Sequence, residues 1–559
     1  MEVTKINQNM NTNTNNDPVF RGGTDVFLRY LATNQAVGAN AVDVSFMVVP
    51  RTANDTIRRG PTAGLETGRR EATGTVNHSL VGVYGITAGA LAALLMGIDR
   101  KYGTNVNKIM AAPETLNILA ENKAAQLKNN KSQLEYLESI LSEVKAFNPQ
   151  SSKADEEGYV KLSEKTIEKV AKHLDSTINE MPNMKKKLFK KGELAQAVDA
   201  AVNMVMEDTG EQTDIVLKST TDLPQSKTNL KALMEDICTT SNAFNKEKVK
   251  ESFMHQIEKG KGLSENNFMK ALTRHKNIKS LAGFAIAAGI GASVQPLNMY
   301  ITKKKTGTDG FVGVEGRSKD NSTGFKVLKV GTAAAFGAMV LGTLHTGLKG
   351  FMSKMSFAGF WPTLNQLKGV YGITIISRLL SARDKDELRE SLTKDTLGFL
   401  SWLVLGDIVN RMTAEALDKS VLDRKSPEVA NKGFLGRAYG SILKTRDEII
   451  IEALAKNGIS STKVENGKVV AKKFKEMLKD LEQVADRELV NITKKRLRTL
   501  NKAQIVGYAF SGLVLGLGIP NLNIYITNKL DKKRKAEEAK YVKLNPEVSN
   551  DEIKSSQAA

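Results

Sequence analysis

LAGFAIAAGIGASVQPLNMYITKKK, residues 281–305, decides the reading of this chain because it occurs twice. From 507 the chain reads GYAFSGLVLGLGIPNLNIYITNKLDKK, so LNMYIT at 297–302 returns as LNIYIT at 522–527. In each copy a glycine-rich, uncharged apolar run precedes the motif and lysines follow it. Each run is about 20 residues long, which at 1.5 Å per residue matches a hydrocarbon core of roughly 30 Å. Both are read as membrane-spanning helices that end in a basic anchor.

Tyr300 and Tyr525 stand 525 − 300 = 225 positions apart. A short duplicated module and convergence on one interfacial solution both account for the echo. An amphipathic ring ahead of a lysine cluster is a headgroup-level anchor, and that reading is preferred. Asn298, Tyr300, Asn523 and Tyr525 are its residues. A further echo, GVYGIT at 82–87 and 369–374, has less context.

With 559 residues the chain is too long for one ordinary core. Its formal charge of +20 calls for an acidic partner. Aromatics are only 6%, and no basic stretch is interleaved with stacking rings, so nucleic acid is not expected. Anionic lipid headgroups are the expected counter-surface, given the apolar blocks beside the charge. The single cysteine, Cys238, excludes an intrachain disulfide framework. No apolar signal segment opens the sequence, which starts polar and asparagine-rich.

In chain order, 1–78 is a polar, partly disordered N-terminal region, with a strand at 42–49 and an arginine-bearing loop at 52–75. Residues 79–98, SLVGVYGITAGALAALLMGI, carry no charge and read as a transmembrane helix. Gly85, Gly89, Ala93 and Gly97 fall four apart, a small-residue face on which helices associate in lipid, so a homo-oligomer is an expected partner. Residues 99–279 form a charged helical extramembrane domain, with Leu134, Leu137, Leu141 and Val144 at coiled-coil spacing. Residues 280–411 hold about four membrane segments, with a glycine-rich loop at 303–326. Besides the first repeat copy, these are 329–348, a weaker stretch at 357–380 and a short one at 396–410. A second helical extramembrane region at 412–503 leads into the last transmembrane helix at 504–527, and 528–559 is a basic polar tail. The fold class is thus mainly α: a multi-span α-helical membrane protein with two charged helical extramembrane regions and five or six spans.

Three ionisable residues, His345, Arg378 and Asp407, interrupt apolar runs. In hydrocarbon such groups face a partner or a water-filled cavity, which makes them the candidate intramembrane polar site. Span-end snorkelling, or pairing of Arg378 with Asp407, explains the last two without a function. The loop at 310–318 lacks the glycine spacing and lysine of a phosphate-binding loop. The five histidines show no metal-ligand spacing, and no nucleophile motif is present. No catalytic residue, metal or cofactor is expected. A structural or interaction role in a membrane is the leading reading, with a transporter or channel and a conditionally inserting soluble protein as rivals.

Overall fold

A computed structural model describes residues 35–149, 151–184, 192–221, 223–307, 319–344, 362–424, 426–484 and 486–544, together with 28, 29, 31 and 355. The protein is mainly helical and has two parts, a bundle of long helices and a mixed α/β lobe.

In the bundle, α1 runs from Gln35–Val42 through a π turn at Asp43–Val48 into Val49–Arg59. Gly60 turns the chain at φ 91°, and Pro61 opens α2, Pro61–Ser79. Neither the strand at 42–49 nor the loop at 52–75 forms. Proline at a first helical position starts a helix, and Gly64 and Gly68 let α2 lie directly on Thr56 and Thr52 of α1. Leu80 breaks the helix, and α3, Val81–Leu95, continues at a 47° bend.

The long α4, Asn267–Thr306, carries the first LNMYIT copy near its end. Then follow α5 (Thr323–Thr343) and α6 (Leu364–Leu380). Next, α7 joins Lys385–Leu400, a π turn at Ser401–Leu405 and Gly406–Leu417. Last, α8 joins Arg487–Gly512, a π turn at Leu513–Gly518 and Ile519–Leu544.

Among the described residues three helices, within α4, α5 and α8, are long and apolar enough to cross a membrane; the bent pair α2–α3 makes a fourth. This is fewer than the five or six read from the sequence. The apolar run 79–98 yields only the 15-residue α3 and spans nothing without α2. Of the stretch at 357–380, 357–361 lie outside the described residues and Leu364–Leu380 forms α6, 17 residues long and packed on α4, α5 and α7. The stretch at 396–410 is an internal part of α7.

The two charged regions are one body. Residues from 93–272 and from 414–503 share a single hydrophobic core. Glu207 accepts hydrogen bonds from Ser460 and Ser461, and Asn203 donates to the Ser461 carbonyl across the two segments. The lobe also holds strands: β1 (Val144–Phe147), β2 (Tyr159–Lys161), β3 (Ile215–Leu217) and β4 (Ser226–Thr228) form an antiparallel sheet in the order β2-β1-β3-β4. No coiled coil forms at 134–144: the helix ends at Ser142 and Val144 opens β1, their leucines filling the lobe core.

The ends of α3 and α7 and the starts of α4 and α8 all enter that core, through Ala93, Ala414, Phe268 and Val490. Hence α4 and α8 leave the lobe in the same direction and carry their lysines to the far end of the bundle, α4 being about 60 Å long at 1.5 Å per residue. The face of Gly85, Gly89 and Ala93 is used within the chain: α3 packs on α4, and Gly89 lies against Lys279.

Candidate functional site

The two LNxYIT copies are parts of two equivalent helical units. In unit one, α2 and α3 pack on α4; in unit two, the two halves of α7 pack on α8. Helix α2 and the first half of α7 match in register: Glu66, Arg70, Glu71 and Gly74 correspond to Glu390, Lys394, Asp395 and Gly398, since 390 − 66 = 324. The break at Leu80 and the π turn at Ser401–Leu405 fall at the same place in that register. The units also exchange their first helices, α1 packing on α8 and α6 on α4, the reciprocity that a two-fold relation requires. Gly291 and Gly516, again 225 apart, make these crossings close. A Cβ at Gly291 would lie 2.7 Å from Thr374 Oγ1 on α6, and one at Gly516 would lie 3.3 Å from the Phe46 carbonyl on α1.

Asn298 and Thr302 lie four apart on one face of α4, as do Asn523 and Thr527 on α8. Each threonine donates to the equivalent glutamate: Thr302 to Glu66 at 2.7 Å, Thr527 to Glu390 at 2.8 Å. In unit one Arg69 closes the contact, donating to Asn298 Oδ1 at 3.1 Å, to its carbonyl at 3.4 Å and to Thr302 at 3.1 Å. In unit two Asn523 donates to the Glu390 carbonyl, and Arg389 reaches Thr527 from the preceding turn. Tyr300 and Tyr525 point the other way and are 63% and 64% exposed. The motif therefore has two faces, an Asn/Thr face that docks helices and a tyrosine face turned outward.

Between the units lies a buried ionic cluster. Glu71 meets Lys394 at 2.7 Å, Arg51 at 3.2 Å and Arg378 at 4.0 Å, while Arg378 holds Asp395 at 2.6 Å. Arg51:Glu71 and Arg378:Asp395 are equivalent pairs, each joining a first helix to a second. A few turns nearer the lobe, Asp43 Oδ2 accepts from Thr75 at 2.5 Å and stands 3.2 Å from His78 Nε2. Trp402 and Tyr371 box in the His78 ring. Charges so enclosed persist only when paired, and even then they contribute little net stability, so their concentration here marks a site.

A cavity of ≈ 360 Å³ opens beside the cluster, walled by α1, α2, α7 and the second LNxYIT copy on α8.

Of the residues singled out in the sequence, Arg378 belongs to this cluster, and Asn523 lines the cavity. Asp407 does not meet Arg378: it is 68% exposed and pairs with Arg411 at 2.9 Å. His345 lies outside the described residues. Glu71, Lys394 and Asp395 were not singled out, although the 324-residue register finds them; Arg51 was not singled out either and falls outside that register, in which its place is taken by Ile375. Among the described residues no group of His, Cys, Asp and Glu is placed to hold a metal ion. No protein-family model, curated protein or solved structure matches this chain.

Proposed function

We propose that this is an integral membrane protein with a structural or interaction role, whose two units place a lobe on one side of a bilayer and a basic face against anionic headgroups on the other. One observation carries the reading: the most apolar helices are the least buried. Only 39%, 22% and 28% of the apolar windows of α4, α5 and α8 are covered by protein. Leu281, Ile286, Val330, Leu513 and Leu517 are exposed, whereas Leu137, Leu174 and Leu233 of the lobe are fully enclosed. An apolar belt of this kind is unfavourable in water by about 25 cal/mol per Å² and at home in lipid. At its far edge Lys303, Lys304, Lys305, Lys529, Lys532 and Lys533 are exposed, where each cation near an anionic leaflet contributes roughly 1 kcal/mol.

Alkaline carbonate extraction tests the insertion. The chain is expected in the pellet, and recovery in the supernatant would support the soluble rival instead. Sidedness is read by thiol labelling in sealed vesicles. The native Cys238 is fully buried and its thiol is pushed up to about 12 by burial, so it is a silent background. Glu465→Cys in the lobe and Lys305→Cys are expected to react with an impermeant maleimide from opposite sides.

A carrier is the second reading, favoured by the ionic cluster at a repeat interface. Both units are tied into one lobe core, however, so rocking one against the other has to break that core. Solute flux in vesicles that is unchanged by Glu71→Gln counts against it.

A further inference from the structure

We propose that the cavity between the two units is an anion site for a phosphate monoester group, presented either by a lipid headgroup or by a free phosphate; only the lipid source rests on the membrane reading above. The lining carries five cationic side chains, Arg51, Arg58, Arg70, Arg378 and Lys394. Three carboxylates of the lining face them, Asp55, Glu71 and Glu390, and just behind it Asp395 and Glu66 pair with Arg378 and Arg70, so the lining cation with the least use of its donors is Arg51.

Arg51 supplies the second, independent indication. Its side chain is only 4% exposed, yet neither Nε nor Nη2 makes a hydrogen bond, and its contact with Glu71 at 3.2 Å is an ion pair without hydrogen-bond geometry. A buried guanidinium with its donor edge unused is costly, and bidentate donation to a phosphate oxygen pair is the interaction that geometry suits. A Cβ at Gly398 would lie 3.6 Å from Arg51 Nη2, so the guanidinium runs along the α7 backbone at that point. Around the rim, Arg58 donates to Asn521 at 3.1 Å, and Asn523 and Thr527 bring further polar groups to the wall. The lining comes from α1, α2, α6, α7 and α8, so the anion would join the two units.

At the equivalent place in unit one the described polar groups are covered. Asn298 and Thr302 are buried there under Arg69, whereas Asn523 and Thr527 are only half-buried. Among the described residues the site lies on the side where that cover is missing.

The test is a calorimetric titration of the full chain, in detergent with inorganic phosphate and in nanodiscs with and without phosphatidic acid. Phosphate binding at one site per chain supports the proposal and assigns a free anion. Retention by phosphatidic acid nanodiscs alone, with no phosphate uptake, supports it and assigns a headgroup. Arg51→Gln is expected to weaken either by at least tenfold. Arg58→Glu, a rim change that leaves the cluster intact, is expected to weaken it severalfold and serves if the first variant does not fold. No uptake of either probe by the folded chain overturns the proposal, as does uptake that neither variant alters. A chain that pellets in carbonate but binds neither probe loses this site and keeps its membrane reading.

Discussion

Asn298 and Asn523 stand at the same position of one motif, on two helices that both start in the lobe core. The first is sealed and the second opens on a cavity. Both threonines hold the equivalent glutamate, and both tyrosines face outward. What separates them is a single cover. Arg69 lies across Asn298 and Thr302, while its counterpart in the 324 register is Thr393, too short to reach as far. The repeated scaffold thus has the same docking contacts in both units and space beside one of them, so a nearly symmetric frame carries an asymmetric site.

The largest expected effect comes from the carboxylate shared by the units. Glu71 alone gathers Lys394, Arg51 and Arg378, whereas its counterpart Asp395 serves Arg378. Glu71→Gln leaves buried cations facing one another and is expected to destabilise the bundle by about 3–5 kcal/mol. Asp395→Asn is expected to have a smaller effect, since Arg378 keeps Glu71. Denaturant unfolding in micelles ranks them, and equal losses would show that the two units are loaded alike.

Next in size is the cover. Arg69→Ala removes three hydrogen bonds from largely buried groups, a loss of about 2 kcal/mol. Arg389→Ala removes partly exposed contacts to Thr527, Asp386 and Glu390 and is expected to change stability by under about 1 kcal/mol. The converse substitution, Thr393→Arg, places an arginine where unit one has its seal. It is expected to lower phosphate uptake with little change in unfolding midpoint. Undiminished uptake would mean that Arg69 does not account for the difference.

The sequence displays the two-unit frame only where it is nearly identical. LNMYIT and LNIYIT can be matched by eye, and the charge-free runs before them identify α4 and α8. The second helices cannot be matched that way, because Arg70/Lys394 and Glu71/Asp395 conserve charge and not identity. Their offset also differs by 324 − 225 = 99, since the lobe segment of unit one is that much longer, so no single shift superimposes both elements. Arg51 falls between the expected strand at 42–49 and the expected loop at 52–75, whose proline and glycines suggest a loop although Pro61 starts a helix and Gly64 and Gly68 pack one. The run 79–98 misleads in the other direction: nothing in its hydropathy announces the break at Leu80, with φ −89° and ψ 2°. The shared lobe core is built from contacts such as Glu207 with Ser461, which lie 254 residues apart and leave no local trace.

That lobe fixes the starts of both long helices, so loosening it asks whether the two units hold each other without it. Asp423 and Glu448 are buried near Glu211. Burial, opposed in part by Lys444, pushes Asp423 up to about 7, and burial with the adjoining carboxylates raises Glu448 as well. A carboxyl whose folded value is raised keeps its proton in the native state while the unfolded chain has lost it. For Asp423, stability therefore falls as pH climbs from about 4 to about 7, by at most about 1.4 kcal/mol per pH unit, and Glu448 acts in the same direction. Glu452 works the other way: Lys444 and Arg496 outweigh its burial and hold it down to about 2, so its contribution is present above about 4.5 and fades as pH drops toward 2. The lobe is expected to be most stable near pH 4.5–5 and to melt at a lower temperature at pH 7.5, with Asp423→Asn flattening that fall. If phosphate uptake stays constant across the same range, the two units enclose the anion through their own crossings at Gly291 and Gly516. If uptake falls in step with the melting temperature, the lobe is the clamp that keeps the open unit in register with the sealed one.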